Sequence, residues 1–352
     1  MTQDSTFDPN AASSSESGIF GLPFTEAEAS LVFIPVPWEV TTSYGGGTSQ
    51  GPEAILQASR QVDLFDSEVL RPYEAGLAIL PASKEIQLWN QEGKQLAQSV
   101  IHSQLSETEG SKALDRVNEL SRKLNEAVYA QTRSLLDQKK IVGIVGGDHS
   151  VPFGALQAIA KDYANYGILH FDAHSDTRRA FEGFEHSHAS IMYNVLEQIP
   201  QVTKLVQVGI RDYCEEEFTY TQRQKERVTT FLDQTLAFRK IEGTPWSQIV
   251  QEMIVSLPQN VWISFDIDGL DPQLCPHTGT PVPGGLSFQE ANYVFRALMK
   301  SGRKIIGFDL TRHRCRFFLN HLISHICYFV GKVEIIFFLF FCDHRLRYSR
   351  HW

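Results

Sequence analysis

Three short motifs in this 352-residue chain place carboxylates and imidazoles where they could bind metal ions. They are GGDHS at 146–150, HFDAHSD at 170–176 and SFDIDGLDP at 264–272. In an extended chain, side chains two and four residues apart point to the same face, so the polar groups of each motif can converge. The candidate ligands are His149, Asp172, His174, Asp176, Asp266 and Asp268.

The composition of this set predicts a site for two divalent metal ions. Four carboxylates and two imidazoles are more than one structural zinc ion requires. A mixture of these ligand types suits hard or borderline ions such as manganese, nickel or zinc. Solvated loop acids and capping histidines are the alternative for any single motif. We favour a metal site because all three motifs directly follow an apolar run.

The apolar runs predict buried strands that alternate with helices along the chain. The predicted strands cover 31–37, 141–145, 166–171, 204–210, 261–265 and 304–310. The predicted helices cover 52–59, 113–138, about 151–162, 246–257 and 288–299, with one more after residue 190. Strands separated by helices pair in parallel within a covered sheet, which indicates an α/β fold. Such sheets bind ligands at the carboxyl ends of their strands, where the three motifs fall.

Composition and charge exclude several classes of protein. The formal net charge is −9 and no long basic patch is present, which argues against nucleic-acid binding. No apolar run reaches the roughly 18 residues that a membrane helix requires. The five scattered cysteines favour a reducing compartment, and without a signal sequence we expect a cytoplasmic protein. Residues 1–18 are rich in Ser, Asn, Asp and Glu and are predicted to form a disordered lead.

The motifs resemble those of the ureohydrolase family, which includes arginase, agmatinase and guanidinase. The resemblance runs from about residue 31 to 310 and includes TGTPVPGGLS at 278–287 and GPEAI at 51–55. It implies a three-layer arginase-like fold, in which a central parallel sheet has helices on both faces, and a catalytic domain over 19–310. Relatives of this kind usually form trimers or hexamers, so the resemblance also implies a homo-oligomer.

The resemblance assigns the six ligands to two metal positions. One ion would lie on His149, Asp172, Asp176 and Asp266. The other would lie on His174, Asp172, Asp266 and Asp268, so that two aspartates bridge. Manganese is usual in the family, and nickel is expected for guanidinases.

This metal arrangement suits hydrolysis of a guanidinium group. A guanidinium carbon is a poor electrophile because its charge is delocalised, and two cations can make water nucleophilic near neutral pH. The leaving amine must be protonated, and Asp176 is the candidate to deliver that proton. His188 matches the family's outer histidine and could shuttle protons, with His186 as a rival. His277 is a candidate to line the pocket.

The substrate is predicted to be a small guanidinium compound. The segment PWEVTTSYGGGTSQGPEAI at 37–55 looks most like the guanidinase branch, where Trp38, Thr41 and Thr42 could contact unsubstituted guanidine. The amino-acid-binding segment expected of arginases after DAHSD is absent, and Phe181 and Phe184 suggest a less polar pocket. Agmatinase, which would release putrescine and urea, is the alternative.

The last segment, 311–352, departs from the family. Relatives have a glutamate three residues after the aspartate of the last strand, where it grips the substrate. Here Asp309 is followed by Arg312. The segment lacks alanine and proline, is basic, and contains the aggregation-type run VEIIFFLFF at 333–341. We interpret it as out-of-frame or intron-derived, with a genuine divergent end as the alternative.

Two other functions are alternatives to hydrolysis of a guanidinium compound. A metal-binding protein of the same fold would lack turnover if Arg312 blocks the substrate. A zinc deacetylase on a related fold is disfavoured because the paired Asp266 and Asp268, with His149 and His174, supply ligands for two metals rather than one.

Overall fold

The computed structural model describes residues 7–65 and 71–312, and within them the strands form one eight-stranded parallel sheet. The strands are β1 (Leu31–Val36), β2 (Leu77–Ile79), β3 (Ile141–Gly146), β4 (Tyr166–Phe171), β5 (Val202–Ile210), β6 (Val228–Leu232), β7 (Asn260–Asp266) and β8 (Lys304–Thr311). Their order across the sheet is β2-β1-β3-β8-β7-β4-β5-β6.

The described residues also contain α-helices that follow most strands. They are α1 (Gly51–Ser59), α2 (Lys84–Ile101), α3 (Glu107–Asp137), α4 (Phe153–Ile159), α5 (Ile191–Gln198), α6 (Glu215–Arg223), α7 (Asp233–Ile241), α8 (Trp246–Val255) and α9 (Phe288–Lys300). Serines at 83, 106 and 287 cap α2, α3 and α9, each accepting a hydrogen bond from the third residue of its helix.

Alternation of side chains along the strands divides the core into two layers. Leu31 and Phe33 of β1 belong to one apolar cluster, and Val32 and Ile34 belong to the other. The first cluster includes residues of α1, α8 and α9, and the second includes residues of α3, α4 and α5. The predicted three-layer α/β fold, with helices on both faces of a parallel sheet, is therefore confirmed.

The three strands that carry the polar motifs lie close together, with β8 between two of them. β3, β8, β7 and β4 are consecutive in the sheet, so their carboxyl ends share one stretch of its edge. In the register of β7 and β8, Asp266 pairs with Thr311. The chain passes close to itself here, because a Cβ on Gly147 would lie 1.7 Å from the carbonyl oxygen of Trp38. Only glycine fits at that position of GGDHS.

Several predicted domain boundaries fall among residues that the structure does not describe, or next to them. Residues 1–6 and 313–352, including VEIIFFLFF at 333–341, lie outside the described residues. Phe7 packs against the domain, with its ring 6.0 Å from that of Tyr73. The disordered lead over 1–18, the domain limits 19–310 and the origin of 311–352 stay predictions. No helix among the described residues is long and apolar enough to cross a membrane.

Candidate metal centre

His149 lies immediately beyond β3 and points one ring nitrogen into a group of carboxylates. Its Nδ1 is 2.9 Å from Asp172 Oδ2, 3.1 Å from Asp176 Oδ2 and 3.6 Å from Asp266 Oδ2. Its Nε2 is 2.9 Å from Ser264 Oγ. All of these side chains are buried. His149 therefore faces the acidic cluster through Nδ1 and the sheet interior through Nε2.

The ring of His149 is oriented by a chain of hydrogen bonds behind it. The Ser264 hydroxyl donates to Asp309 Oδ1 at 3.0 Å, and the Trp262 indole N–H donates to Asp309 Oδ2 at 2.6 Å. Because its hydrogen is directed to Asp309, the Ser264 oxygen accepts from His149 Nε2–H. In the neutral ring this leaves the lone pair on Nδ1, which is the form that binds a metal ion.

The loop after β4 supplies three more ligands by an irregular path. The strand ends at Phe171, and Asp176 has a left-handed backbone with a φ of 54°. The carbonyl of Asp176 accepts the backbone N–H groups of Met192 and Tyr193 at the start of α5. The extended geometry expected through Asp176 therefore stops early. The predicted convergence with Asp172 still occurs, because α5 holds the turned backbone in place.

Asp266 and Asp268 come from the end of β7 and the turn that follows it. Asp266 Oδ1 accepts the backbone N–H of Asp268 at 3.0 Å, and Asp268 Oδ1 accepts that of Ala173 at 3.0 Å. The remaining oxygen of Asp268 is 3.3 Å from His174 Nδ1. Asp266 Oδ2 is buried and lacks a hydrogen bond among the described residues, although an ion pair reaches it.

Two overlapping groups of donor atoms could each hold a cation. The donor atoms within each group lie within 4.8 Å of one another. The first group is His149, His170, Asp172 and Asp176, and the second is Asp172, His174 and Asp268. Asp172 belongs to both groups. Asp266 belongs to neither, but its Oδ2 lies 3.6 Å from Nδ1 of His149 in the first group.

The donor chemistry fits divalent ions at both positions. Each group combines carboxylate with imidazole, as manganese, nickel and zinc sites do. The Oδ2 atom of buried Asp266, which accepts no hydrogen bond among the described residues, has the lone pairs of a further ligand. The six residues predicted from the sequence are all brought together. Their assignment to particular metal positions stays a prediction.

The cluster raises the pKa values of three of its members. Burial alone would lower the pKa of His174, but Asp268 and Asp172 raise it to about 11. Burial would also lower the pKa of His149, yet hydrogen bonds with Asp172 and Asp176 raise it well above its ordinary value. Burial and the neighbouring Asp268 raise the pKa of Asp266. Because cations bind deprotonated ligands, metal binding here must release protons.

Arg312 enters the centre from the end of β8. Its side chain is 5% exposed, and its backbone has a left-handed φ of 62°. Nε is 3.1 Å from Asp266 Oδ2, and Nη1 donates to Asp268 Oδ2 and Thr280 Oγ1, each at 2.8 Å. Burial alone would lower the pKa of Arg312, but the charges of the surrounding aspartates outweigh burial and raise the pKa above its ordinary value. From the sequence we expected Arg312 at a substrate-gripping position, whereas its guanidinium contacts the candidate metal ligands.

His188 lies beside the centre together with part of the glycine-rich loop. Its Nδ1 is 3.2 Å from Thr41 Oγ1, and its ring centroid is 5.9 Å from that of Phe181. Burial, together with the positive charge of Arg312, lowers the pKa of His188 well below its ordinary value. The rival His186 packs instead against the Phe153 ring, 5.3 Å away. Of the two, His188 therefore has the contacts expected of a site residue.

The other predicted substrate contacts are placed differently. Trp38 is fully buried in an apolar cluster, and its indole N–H lacks a hydrogen-bond partner among the described residues. The Thr42 hydroxyl donates to the Glu39 carbonyl at 2.9 Å and also contacts Lys94. His277 is partly exposed in the loop after Cys275. Their roles as substrate contacts stay predictions.

The loop that carries Thr41 is anchored by Glu39. The Glu39 carboxylate accepts the backbone N–H groups of Gly47 and Ser49 at 2.6 and 3.0 Å. Lys94 Nζ donates to the Glu39 carbonyl at 3.0 Å. These bonds fold the glycine-rich loop back on itself.

Sequence reasoning missed a second set of polar residues inside the sheet. His170 Nε2 is 3.0 Å from Asp172 Oδ2, and Gln207 Nε2 is 3.2 Å from His170 Nδ1. The same Gln207 nitrogen is 2.8 Å from the Ser175 carbonyl, and Thr230 Oγ1 is 3.0 Å from Gln207 Oε1. The available signal was a histidine and a glutamine within otherwise apolar strands, because buried polar groups need partners.

Arg211, the residue after β5, supports the backbone around the centre. Its guanidinium donates to the carbonyls of Asp268 at 2.6 Å, Leu270 at 3.2 Å and Val282 at 3.0 Å. Asp212 is largely exposed, with Oδ2 3.8 Å from His174 Nε2. Arg211 thus ties the turn after β7 to the 278–287 loop.

A parallel α/β sheet with a buried cluster of histidine and aspartate at its carboxyl edge defines a protein of the metal-dependent hydrolase type. The sequence model of the arginase family matches residues 29–313, which is most of the chain. The chain therefore belongs to the arginase family. The ureohydrolase resemblance stated above is confirmed, and so is the enzyme class, a hydrolase of amidino C–N bonds.

Individual relatives agree with this assignment. The chain is 30% identical over 287 residues to the N(1)-aminopropylagmatine ureohydrolase of a Synechocystis species, covering 81% of each protein. It is 30% identical over 281 residues to the agmatinase of Blochmanniella floridana, covering 79% of this chain and 78% of that protein. The fold is similar to the agmatine ureohydrolase of Thermoplasma volcanium, with a TM-score of 0.69, 21% identity, and coverage of 92% and 96%.

Proposed function

We propose that this chain has the fold and ligands of a dinuclear-metal-dependent hydrolase that converts guanidine to urea and ammonia. The observation that carries the proposal is the convergence of buried His149, Asp172, Asp266 and Asp268 with the partly exposed His174 at one edge of the sheet. Asp172 belongs to both ligand groups, which is the position of a bridging ligand. Manganese or nickel would suit these donors, and we further propose a homo-oligomer such as a trimer or hexamer.

The residues of the chain divide the chemical work between them. Divalent cations, when bound, supply the charge that makes a water nucleophilic near neutral pH. The aspartates keep the cavity negative, so that it admits a cationic guanidinium. Asp176 Oδ2 faces the cluster beside His149, where it can take a proton from the attacking water and pass it to the leaving nitrogen.

His188 and Thr41 would relay the proton beside the centre. Burial lowers the pKa of His188 and keeps its ring neutral, so the ring would pass a proton on between its two nitrogens rather than hold it. Thr41 lies 3.2 Å from its Nδ1 and holds the ring in position. Phe181 packs edge-on against the same ring and limits the space beside it.

Guanidine is the proposed substrate because the residues at this side of the centre favour a small cation. Thr41 and His188 offer short polar contacts, and the neighbouring Phe181 and Phe184 are aromatic. Agmatine is the alternative, and the names of relatives such as the agmatinase of Blochmanniella floridana favour it. An agmatinase needs room for a four-carbon amine that guanidine lacks.

Urea release from guanidine and agmatine tests the proposal. The enzyme for this test carries a family-type segment after Leu310, so that Arg312 does not enter the centre. We expect a higher kcat/KM for guanidine than for agmatine or arginine, and loss of activity with Asp176→Asn. The matched control is Asp212→Asn, which changes a largely exposed carboxylate near His174. A higher kcat/KM for agmatine would replace guanidinase with agmatinase.

A further inference from the structure

The guanidinium of Arg312 uses the atoms that a second metal ion would need. Nη1 lies 2.8 Å from Asp268 Oδ2 and 3.4 Å from His174 Nδ1. Nε lies 3.1 Å from Asp266 Oδ2. Asp268 and His174 form the second ligand group with Asp172, and Asp266 faces His149 of the first group. The lone pairs of this group therefore already have a cationic partner within the chain.

The backbone and one further side chain hold Arg312 in this place. Its N–H donates to the Gly147 carbonyl at 2.7 Å, although its left-handed conformation is unfavourable for a side chain of this size. Thr280 Oγ1 accepts from Nη1 at 2.8 Å. A buried arginine loses its hydration, and the aspartates around it offset that loss. Arg312 is thus a counter-ion for the buried carboxylates of Asp266 and Asp268.

Arg312 and a divalent ion cannot both use this group. A metal ion binds carboxylate oxygen at about 2.0–2.2 Å and imidazole nitrogen at about 2.0–2.1 Å. It would occupy the space from which Nη1 now contacts Asp268 and His174, and the two positive charges would repel each other in a buried site. The first group differs, because His149 and Asp176 have no hydrogen bond or salt bridge to Arg312 in the described structure.

We propose that Arg312 is a built-in competitor of the second metal ion. The chain binds one divalent ion at His149, Asp172 and Asp176, and a second ion binds at His174 and Asp268 only when Arg312 has withdrawn. The inference rests on the proposed function in one respect, that the cluster binds metal ions at all. The inference goes beyond the proposed function because it makes the number of bound metal ions depend on a single residue, Arg312.

Manganese titration of the purified full-length chain tests this competition. Mn²⁺ alone is the probe, with stoichiometry measured by equilibrium dialysis and spin coupling by electron paramagnetic resonance. Wild type is expected to bind one ion tightly and to give an uncoupled spectrum. Arg312→Met keeps the side-chain length without charge and should bind two ions with a coupled spectrum. Its second Kd should be lower by at least about 30-fold, equivalent to about 2 kcal/mol.

A matched control and a second variant keep the test decisive. Arg179→Met removes the same charge from an exposed position and should behave as wild type. If Arg312→Met folds poorly without metal, Arg312→Lys retains the charge but has no planar fork, and it should weaken the competition in part. Thermal unfolding gives a separate readout, because Mn²⁺ should stabilise Arg312→Met more than wild type.

Each other outcome overturns the inference in a recognisable way. Two ions bound equally tightly by wild type and Arg312→Met would show that Arg312 does not compete, and would leave the proposed function intact. One ion in both proteins would show that Arg312 is not what closes the second position. No bound ion in either protein would overturn the metal centre itself, and with it the proposed function.

Discussion

Asp309 should control the metal affinity of His149 without touching the metal. Asp309→Asn keeps the size of the side chain but replaces one oxygen by an NH₂ group. The remaining oxygen of the new amide can still accept from the Trp262 indole, and the NH₂ group then points at Ser264. In the wild-type chain the Ser264 hydroxyl donates to Asp309 Oδ1, with 3.0 Å between the two oxygens, and in the variant this hydrogen loses its acceptor. It turns towards His149 Nε2, and the proton of the neutral ring moves to Nδ1.

The expected loss of metal affinity follows from the burial of Asp309 and its indirect contact with His149. Partners that orient a metal-binding histidine are typically worth about 10–100-fold in metal affinity, which is about 1.4–2.8 kcal/mol. Asp309 is 1% exposed and accepts two hydrogen bonds, so water cannot substitute for it. We therefore expect the first Mn²⁺ Kd to rise by about 10–100-fold in Asp309→Asn.

Isothermal titration with Mn²⁺ at a fixed pH measures this effect. The matched control is Trp262→Phe, which removes the 2.6 Å bond to Asp309 but leaves the link through Ser264 to His149. It should lower the free energy of unfolding and leave the first Kd within about threefold, a difference of under 1 kcal/mol. An unchanged Kd in Asp309→Asn, with the fold intact, would refute the reasoning from tautomers.

Three further predictions concern metal sharing, the end of the chain and pH. The first uses the chain with a family-type segment after Leu310. There, metal analysis after dialysis should show that His149→Ala has lost mainly one of the two ions and that Asp266→Ala has lost both. Equal losses in the two variants would contradict a bridging role for Asp266. The unmodified chain should release urea at no more than about a thousandth of the rate of the chain with the family-type segment. The reason is that disrupting a buried charge pair costs about 2–5 kcal/mol, and reversing a charge costs more. Comparable rates in the two chains would show that 311–352 is functional. Burial lowers the pKa of His186, so below about pH 6.5 the unfolded chain binds more protons and the free energy of unfolding should fall as pH falls. Denaturant titrations should show a slope smaller by up to about 1.4 kcal/mol per pH unit in His186→Gln, and an identical slope would count against this assignment.

The parallel sheet and the ligand set could be predicted because their signals are local. Apolar runs such as YGILHF at 166–171 mark buried strands, and the motifs directly after them mark the carboxyl edge. β2 and β6 were missed, since β2 has three residues and β6 (VTTFL) contains two threonines at the edge of the sheet. The helices α2, α6 and α7 were missed as well. Their many Gln, Glu and Lys residues obscure the apolar stripe.

Contacts between distant segments could not be obtained from the sequence. Asp176 reaches the cluster through a left-handed turn that α5 holds, whereas the motif alone suggested an extended path. Trp38 adjoins the loop with Thr41, yet its ring packs in the core. Arg312 was expected opposite a substrate, and only the path of the chain beyond β8 brings it to Asp266 and Asp268. Such placements depend on tertiary packing more than on residue type.

The hydrogen bonds that run from Thr230 to Asp172 across three neighbouring strands are polarised in one direction. Gln207 must donate to the Ser175 carbonyl, because a carbonyl only accepts, so its amide cannot turn round. The other hydrogen of that nitrogen points to His170 Nδ1, which fixes the His170 proton on Nε2, facing Asp172. Asp172 therefore always receives a donor from the sheet interior and is kept as an anion. Gln207→Glu would remove this donor, so a residue of β5 that is not itself a ligand influences the charge of the residue that both ligand groups share.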